Sequence, residues 1–325
     1  MKLKGEQSLV ECRIVACDRP KLLKRAIRSL LAQSYPHWKA IVLDDSRKKA
    51  AENVVKSLRD KRIMYRWNQK QLGSTGNLNQ GFSRKSILGG SFAFVLEDDN
   101  ALEKNFIQNA LRHVKDNGFQ IVSMNQRSVA LGKNGAFKKI GVIRSSDGNI
   151  QWDRRNLLLN AFCGESLPNG GYFWKIGSAN LEVDKSFNEP QLQECFRQIQ
   201  VKSSILLAEE IGSIWTFLPE NMIRRKITEH RRYGLILLLL SKCLLEKYRF
   251  SEVTKWIEGC DDPLKKQKAK SILARVAHAQ FQAWGWGFGR PKTFLEGIVK
   301  NILSKILVPQ SIQKALDHYA AQTNP

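Results

Sequence analysis

The stretch Phe92-Ala93-Phe94-Val95-Leu96-Glu97-Asp98-Asp99-Asn100 is the most informative part of this sequence. An apolar, aromatic-rich segment with strand character ends abruptly in three consecutive acids. A strand buried in a core does not carry such a cluster inside it, so the acids lie at its exposed end. In an open α/β sheet, ligands bind at the carboxyl ends of the strands. The stretch therefore predicts an α/β sheet with a candidate site at this strand end.

The acids themselves have two interpretations. Neighbouring carboxylates repel one another and raise each other's pKa unless a cation lies among them, so a divalent metal that holds a phosphate-bearing substrate would explain the cluster. The alternative is a solvated acidic turn that caps the next helix, with Asp98, Asp99 or Asn100 as the N-cap residue. The cluster alone leaves both interpretations open.

The residues before this stretch alternate between strand and helix patterns, which indicates βαβ units and a largely parallel sheet. A short apolar strand over 40–43 also ends in acids, Asp44 and Asp45, so two strands deliver carboxylates to the same edge of the sheet. The other predicted elements are a strand over 9–17, a turn at Asp18-Arg19-Pro20, a helix over 22–31, a helix over 50–58, a strand over 63–67, and a helix through Asn79 and Gly81.

The second half of the chain is patterned less clearly, and its character changes near residue 230. The predicted elements are strands over 121–124 and 172–176, a helix over 191–198, a strand over 213–218, and helices with basic faces over 233–248, 251–259, 263–284 and 294–307. We therefore expect one α/β domain over 1–230 and a basic α-helical region over 231–325.

The formal net charge of +23 demands an acidic partner or surface, such as nucleic acid, anionic lipid headgroups or sugar nucleotides. The sequence contains no basic-aromatic RNA-binding signature, helix-turn-helix or zinc motif, which argues against nucleic acid. An apolar share of 42% excludes a disordered chain.

The cellular compartment is predicted from the cysteines and the apolar runs. The six cysteines form no CxxC pair and no zinc-like spacing, which favours free thiols in a reducing compartment. The start of the chain has no apolar h-region, and the apolar run over 235–240 is far shorter than the roughly 18 residues of a membrane span. We expect a cytoplasmic protein, at most peripheral on the inner face of the membrane.

The first 110 residues resemble the nucleotide-binding half of an inverting family 2 glycosyltransferase of the GT-A fold. Any one of the matching motifs would be weak alone, but together they occur in the family's order and spacing. The matches are Ala16–Pro20 to P-T-Y-N-R-P, Leu22–Trp38 to L-L-x-x-A-I-x-S-L-L-A-Q-S-Y-P-x-W, Val42–Ser46 to V-V-D-D-G-S, Gln71–Gly73 with Asn79–Gly81 to N-x-G…A-R-N-x-G, and Glu97–Asp99 to D-x-D.

The resemblance implies a GT-A fold with a nucleotide-binding half over 1–110 and an acceptor half over 111–230. It implies a nucleotide-sugar donor, in the first place a UDP-sugar, and a glycan, lipid-linked or protein acceptor in cell-surface polysaccharide synthesis. It also implies Mn²⁺ or Mg²⁺, held by Asp99 as the main ligand and by Asp98, which alternatively contacts the ribose. Asp44 would accept a hydrogen bond from N3–H of uracil. The remaining nucleotide contacts implied by motif position are Cys17, Asp18, Arg19, Asn79 and Glu97.

Downstream the resemblance thins. Glu189, within Asn188-Glu189-Pro190, stands where the family carries its E-D motif and is the first candidate for the general base, with Glu209 and Glu210 as rivals. His230, at the end of a segment that resembles Y-L-P-E-x-x-x-x-x-R-x-H, is a candidate metal ligand. For each of these residues, an ordinary surface position is the alternative.

The sequence also departs from the family pattern. Cys17 replaces a small hydroxyl residue, the glycine of D-D-G-S is missing, and Leu78 replaces an arginine that Lys70, Arg84 or Lys85 would have to compensate. The alternative functions are therefore a catalytically degenerate protein that acts as a binding or scaffold subunit and, from the charge alone, a basic nucleic-acid-binding protein. In the basic tail, the aromatic segment over 283–288 favours an anionic membrane surface, whereas Leu235–Leu245 favours packing in a core or against a second subunit of a homo-oligomer.

Overall fold

The computed structural model describes residues 7–132, 134–145, 148–162, 165–183, 190–218, 250–264, 266–267 and 269–270. In chain order the helices and strands are β1 (Val10–Ala16), α1 (Pro20–Leu31), β2 (Trp38–Asp44), α2 (Glu52–Leu58), β3 (Ile63–Trp67), α3 (Gly73–Gly81), β4 (Phe92–Glu97), β5 (Ala101–Leu102), α4 (Phe106–Asn117), β6 (Ile121–Leu131), β7 (Phe137–Val142), β8 (Ile150–Trp152), α5 (Arg154–Phe162), β9 (Tyr172–Lys175), α6 (Pro190–Gln200), β10 (Ile205–Phe217) and α7 (Phe250–Glu258).

Within the described residues the strands form one mixed sheet in the order β3-β2-β1-β4-β9-β6-β10-β5, with β7 paired to β6 and β8 paired to β10. The first four strands of this order are parallel, as the alternation of strand and helix predicts. β9 is antiparallel to both β4 and β6, so β6 and its parallel neighbour β10 run in the direction of β4. The predicted α/β class with a large central sheet is confirmed.

The central strands are covered on both faces, which explains their nearly continuous apolar sequences. Every residue of β1 is buried. Alternate residues of β1, among them Cys12 and Ile14, belong to the main hydrophobic core together with buried side chains of α1 and α4. On the opposite face, a Cβ added to Gly81 of α3 would lie 3.0 Å from Val95 and 3.2 Å from Val15. Helix α3 therefore packs closely there because its last residue is glycine.

The chain divides into two compact units, each considered within its described residues. The first unit comprises the described residues within 1–154, 167–185 and 200–224, and it contains the sheet. The second unit comprises the described residues within 155–166, 186–199 and 225–325, and it contains most of α5 and α6 together with α7. Among the described residues, no helix has the length and apolar character that crossing a bilayer requires.

The predicted elements of the first half are confirmed, including the helix start at Pro20. In the second half, the strand predicted over 213–218 was wrong in its start, since β10 begins at Ile205. Irregular register against β6, between Leu207 and Ser213, breaks the alternation that marks a strand. The predicted strand over 121–124 extends to Leu131, and β5, α4, β7, β8 and α5 were not predicted. The helices predicted over 233–248 and 294–307 lie outside the described residues.

Candidate active site

Three neighbouring parallel strands end at the same level of the sheet and bring the acidic motifs together. In the register of β1 with its two neighbours, Ala16 pairs with Asp44 and Val15 pairs with Glu97. Just beyond these pairs, the Asp98 N–H donates to the main-chain oxygen of Val15 at 3.0 Å. The Asp45 N–H donates to the main-chain oxygen of Ala16 at 2.9 Å. The carboxyl ends of β2, β1 and β4 therefore form one edge, the position where ligands bind in open α/β sheets.

Asp98 and Asp99 are bridged by the guanidinium group of Arg19. Arg19 Nη2 lies 2.6 Å from Asp98 Oδ1, and Arg19 Nη1 pairs with Asp99 Oδ2. The other oxygen of Asp98 accepts a hydrogen bond from the Cys17 N–H at 2.9 Å. Asp98 is 0% exposed, and the next helix, α4, begins only at Phe106. The alternative of a solvated turn that caps a helix is therefore wrong.

Burial and charge shift the titration of this cluster. Burial raises the pKa of Asp98 to about 7, with the Arg19 charge opposing the rise and the Asp99 charge adding to it. Burial lowers the pKa of Arg19, but the two carboxylates outweigh that effect and hold it above its usual value. Burial, followed by the charges of nearby aspartates that include Asp18, raises the pKa of the Cys17 thiol to about 11. These shifts describe a partly desolvated anionic site that is compensated by one guanidinium group.

Glu97 and Asn100 connect the acidic turn to the far end of β10. Asn100 Nδ2 donates to Glu97 Oε2 at 2.9 Å, and Asn100 Oδ1 accepts from the Thr216 N–H at 2.9 Å. Arg25 Nη2 donates to the main-chain oxygen of Asp99 at 3.0 Å and to Thr216 Oγ1 at 2.6 Å. Glu97, at the first D-x-D position, therefore faces Asn100 at 2.9 Å and helps to set the shape of the turn.

Asp44 is 1% exposed, and its oxygens already accept hydrogen bonds from the protein. Oδ1 accepts from the Ser46 N–H at 3.0 Å, while Oδ2 accepts from the Ala51 N–H at 3.2 Å and from the Tyr65 hydroxyl at 2.9 Å. Burial and this bond to the carboxylate raise the pKa of Tyr65. Asp44 thus shapes the turn after β2, and a nucleobase would have to share an acceptor that is already engaged.

Asp45 was recognised as an acid in the sequence but was given no role there. Its carboxylate accepts hydrogen bonds from the N–H groups of Leu72 and Gly73, at 2.8 and 2.9 Å, and from Asn68 Nδ2 at 2.9 Å. It therefore satisfies free amides at the start of α3, where an anion is also favoured by the helix dipole. The sequence signal that could have found this role is the stretch Gln71–Gly76, rich in glycine and small polar residues, at the start of α3.

The other predicted nucleotide contacts include Asn79, Cys17 and Asp18, whose surroundings differ. Asn79 forms two hydrogen bonds with the main chain of Val183, donating at 2.5 Å and accepting at 2.9 Å, so it fixes the segment just before residue 184. Cys17 is exposed. Asp18 is exposed and has φ +52°, a left-handed backbone that costs energy in a non-glycine residue and recurs at functional sites.

Of the three candidates for the general base, the structure describes Glu209 and Glu210. Glu210 pairs with Arg112 of α4 and approaches His113 Nε2 at 2.5 Å. Burial raises the pKa of Glu210, but these partners outweigh it and hold the pKa below its usual value, which does not favour proton abstraction. Glu209 is exposed on the irregular part of β10. Glu189 and His230 lie outside the described residues.

Asp98 and Asp99 are suited to a divalent metal with help from a substrate. No group of three or more His, Cys, Asp and Glu side chains converges within the part of the chain that is described. Two carboxylates suffice, however, where phosphates and water complete the shell of Mg²⁺ or Mn²⁺. Asp98 Oδ1 is buried and faces the Arg19 guanidinium group at 2.6 Å, so it would serve as an oxygen ligand once Arg19 moves away.

Comparisons with known proteins agree with this geometry. Residues 13–170 match the sequence profile of the family described as Glycosyl transferase family 2. A Campylobacter jejuni protein, GalNAc(5)-diNAcBac-PP-undecaprenol beta-1,3-glucosyltransferase, is 27% identical over 175 residues. That alignment covers 53% of this chain and 52% of the relative, so the match spans about half of that protein's length.

Solved structures of TarS from S. aureus share the fold. The structure of TarS 1-349 in complex with UDP has a TM-score of 0.55 at 15% identity, covering 94% of this chain and 82% of that chain. The complex with UDP-GlcNAc has a TM-score of 0.53 at 12% identity, covering 94% and 83%. The structural likeness shows that the chain shares the GT-A fold, and residues 13–170, just under half of the chain, carry the sequence match to glycosyltransferase family 2.

Proposed function

We propose that this protein transfers a sugar from a UDP-sugar to a lipid-linked glycan acceptor, with inversion and with Mn²⁺ or Mg²⁺, in cell-surface polysaccharide synthesis. The observation that carries the proposal is the meeting of Asp44, Arg19 and the Asp98–Asp99 pair at three adjacent strand ends. The name of the Campylobacter relative supports a lipid-linked acceptor, and the UDP-bound S. aureus structures support a uridine nucleotide. A protein acceptor is the alternative.

The proposed nucleotide site uses the residues of that edge. Asp99 and Asp98 would hold the metal, and His230 would add a ligand. Bound there, the metal would act as a Lewis acid that stabilises negative charge on the departing diphosphate. Arg19 supplies a guanidinium group beside the same position, suited to phosphate oxygens. Cys17, Asp18, Asp44, Asn79 and Glu97 would line the nucleotide pocket, with Asp44 and Asn79 acting largely through the main chain that they fix.

Inversion requires in-line attack by an acceptor hydroxyl on the anomeric carbon, opposite the diphosphate. A carboxylate on the acceptor side accepts the hydroxyl proton as the new bond forms. We propose Glu189 for this role by its motif position, with Glu209 as the rival. Glu210 is the weakest candidate, because its carboxylate is paired with Arg112 and His113.

Release of UDP from UDP-sugars in the presence of Mn²⁺ tests the proposal. Asp99→Asn is expected to lower the rate by at least about 100-fold, because it weakens the proposed hold on the metal that would stabilise the departing diphosphate. Asp60→Asn, which removes an acid paired with Arg62, is the matched control and should keep the rate. If the wild-type protein is stabilised thermally by UDP but releases none from any donor, the proposal fails and the scaffold function is favoured.

We also propose that residues 1–230 carry catalysis and that the basic region over 231–325 lies on an anionic membrane face, at the cytoplasmic side. The support is the sequence of that region, which predicts helices with basic faces and contains the aromatic segment over 283–288. Flotation with vesicles of phosphatidylcholine and phosphatidylglycerol tests this. Absence of binding, combined with a dimeric mass by light scattering, would instead favour a homo-oligomer.

A further inference from the structure

Arg19 occupies the place between Asp98 and Asp99 where a bridging cation would bind. Its two terminal nitrogens contact one oxygen of each carboxylate, Asp98 Oδ1 at 2.6 Å and Asp99 Oδ2. The second oxygen of Asp98 is engaged by the Cys17 N–H at 2.9 Å. Oδ1 is therefore the less engaged oxygen of Asp98 for a divalent ion, and it is the atom that faces Arg19. The guanidinium group and the ion compete for the same oxygen.

The competition has an electrostatic consequence. The side chain of Asp98 is fully buried and that of Asp99 is 15% exposed, so their charges interact strongly with a nearby cation. A divalent ion that displaces Arg19 leaves a guanidinium group beside a new double positive charge, and like charges at short range repel. The Arg19 side chain is 35% exposed, so it has room to leave the carboxylates. Without another anion for Arg19, exchange for the metal is unfavourable.

A diphosphate removes this obstacle. Its oxygens offer the planar guanidinium group a bidentate anionic partner, while they also complete the coordination of the metal. We propose that Arg19 is the resident cation of the nucleotide-free site, which keeps the divalent ion weakly bound until the diphosphate of the donor arrives. This inference rests on the proposed function. It makes Arg19 a positioning residue that couples binding of metal and donor, and the coupling must be reciprocal.

The test measures Mn²⁺ affinity directly, by the electron paramagnetic resonance signal of free Mn²⁺, first without nucleotide and then with UDP. Without nucleotide, Arg19→Gln is expected to bind Mn²⁺ at least about tenfold more tightly than the wild-type protein, within the usual range of coupling between sites. The gain in Mn²⁺ affinity on adding UDP should be correspondingly smaller in the variant. The readout is independent of catalysis.

Arg25→Gln is the matched control. Arg25 is an arginine of helix α1 that also lies beside the acids, but it donates to the main-chain oxygen of Asp99 and not to the Asp99 carboxylate. Removing its charge should change nucleotide-free Mn²⁺ affinity by less than about threefold, since it blocks no ligand oxygen. Arg19→Lys, which keeps the charge but loses the two-pronged contact, should lie between the wild-type protein and Arg19→Gln, and it serves if the Gln variant does not fold.

The outcomes separate this inference from the proposed function. If Arg19→Gln binds Mn²⁺ without nucleotide no more tightly than the wild-type protein or Arg25→Gln, or not at all, the inference is overturned. If UDP binds neither the wild-type protein nor the variants, the proposed function fails. The nucleotide-free comparison still decides whether Arg19 blocks the cation position.

Discussion

Replacement of Glu11 by Gln is expected to destabilise the protein by about 3–5 kcal/mol, because it leaves a buried charge without its partner. Glu11 and Arg13 are both 0% exposed and lie on β1, at the centre of the parallel part of the sheet. Arg13 donates to Glu11 Oε2 through Nε at 3.1 Å and Nη2 at 2.8 Å. The other oxygen, Oε1, accepts from Ser86 Oγ at 2.5 Å and from the N–H groups of Ile87, Leu88 and Gly90 at 3.1, 2.8 and 2.8 Å.

The magnitude follows from the chemistry of the amide. Gln has the shape of Glu, but it offers one acceptor oxygen and turns two N–H donors toward groups that are themselves donors. Either Arg13 or the amides of the 86–90 loop then lose their acceptor while buried, and each hydrogen bond to a charged group contributes about 1.5–3 kcal/mol. Arg13 also donates to the main-chain oxygens of Gly81, Ser83 and Lys85, so the whole connection from α3 to β4 depends on this pair.

Urea denaturation followed by tryptophan fluorescence measures the effect as a lower midpoint at an unchanged m value. Glu52→Gln removes an exposed pair with Lys56 and is the matched control, expected to leave the midpoint unchanged. If Glu11→Gln and Glu52→Gln have the same urea midpoint, the buried pair does not stabilise the loop and this explanation is wrong. Ser86→Ala, which removes one hydrogen bond, should cost about 1 kcal/mol and extends the test if Glu11→Gln does not fold.

The same pair predicts a dependence on pH. Burial raises the pKa of Glu11, but hydrogen bonds from Ser86, the loop amides and Arg13 outweigh it and hold the pKa below its usual value. The stabilisation is therefore present above the unfolded-state pKa of about 4.3 and is lost as the pH falls through the lower folded-state pKa, because the unfolded chain takes up the proton first. Glu11→Gln should lose less stability than the wild-type protein over that acidic range.

Three further predictions concern the site and its support. Cys17, whose thiol pKa is raised to about 11, should react with iodoacetamide at pH 8 more slowly than free cysteine, as read by mass spectrometry, and an equal rate would contradict the shift. Asn79→Ala removes both hydrogen bonds to the main chain of Val183 and should lower the free energy of unfolding by about 1–3 kcal/mol; an unchanged urea midpoint would refute this. Gly171→Ala places a Cβ 2.6 Å from the main-chain oxygen of Met124 and should lower the free energy of unfolding by about 1–3 kcal/mol. A variant as stable as the wild-type protein would contradict this prediction.

Much of the first half of the molecule was predictable from local patterns. The apolar runs that end in Glu97-Asp98-Asp99 and at Asp44 are both strands that end at the sheet edge, as predicted, but the expected exposure was wrong, because Asp98 and Asp44 are buried. Helix α1 begins at Pro20, whose fixed φ suits the first helical position. β10 was missed over half of its length because the irregular register near Glu209 and Glu210 hides the period-two pattern.

Local sequence patterns were enough to predict the α/β class, the parallel strands and the edge at which the acids meet, because burial and strand periodicity depend on residues that are neighbours in the sequence. Only the tertiary structure decided what those acids contact. Arg19 reaches Asp98 and Asp99 across about 80 positions, and Arg25 reaches Thr216 across 191. Such partners are chosen by the packing of distant segments and by the need to compensate buried charge, and no local pattern encodes either.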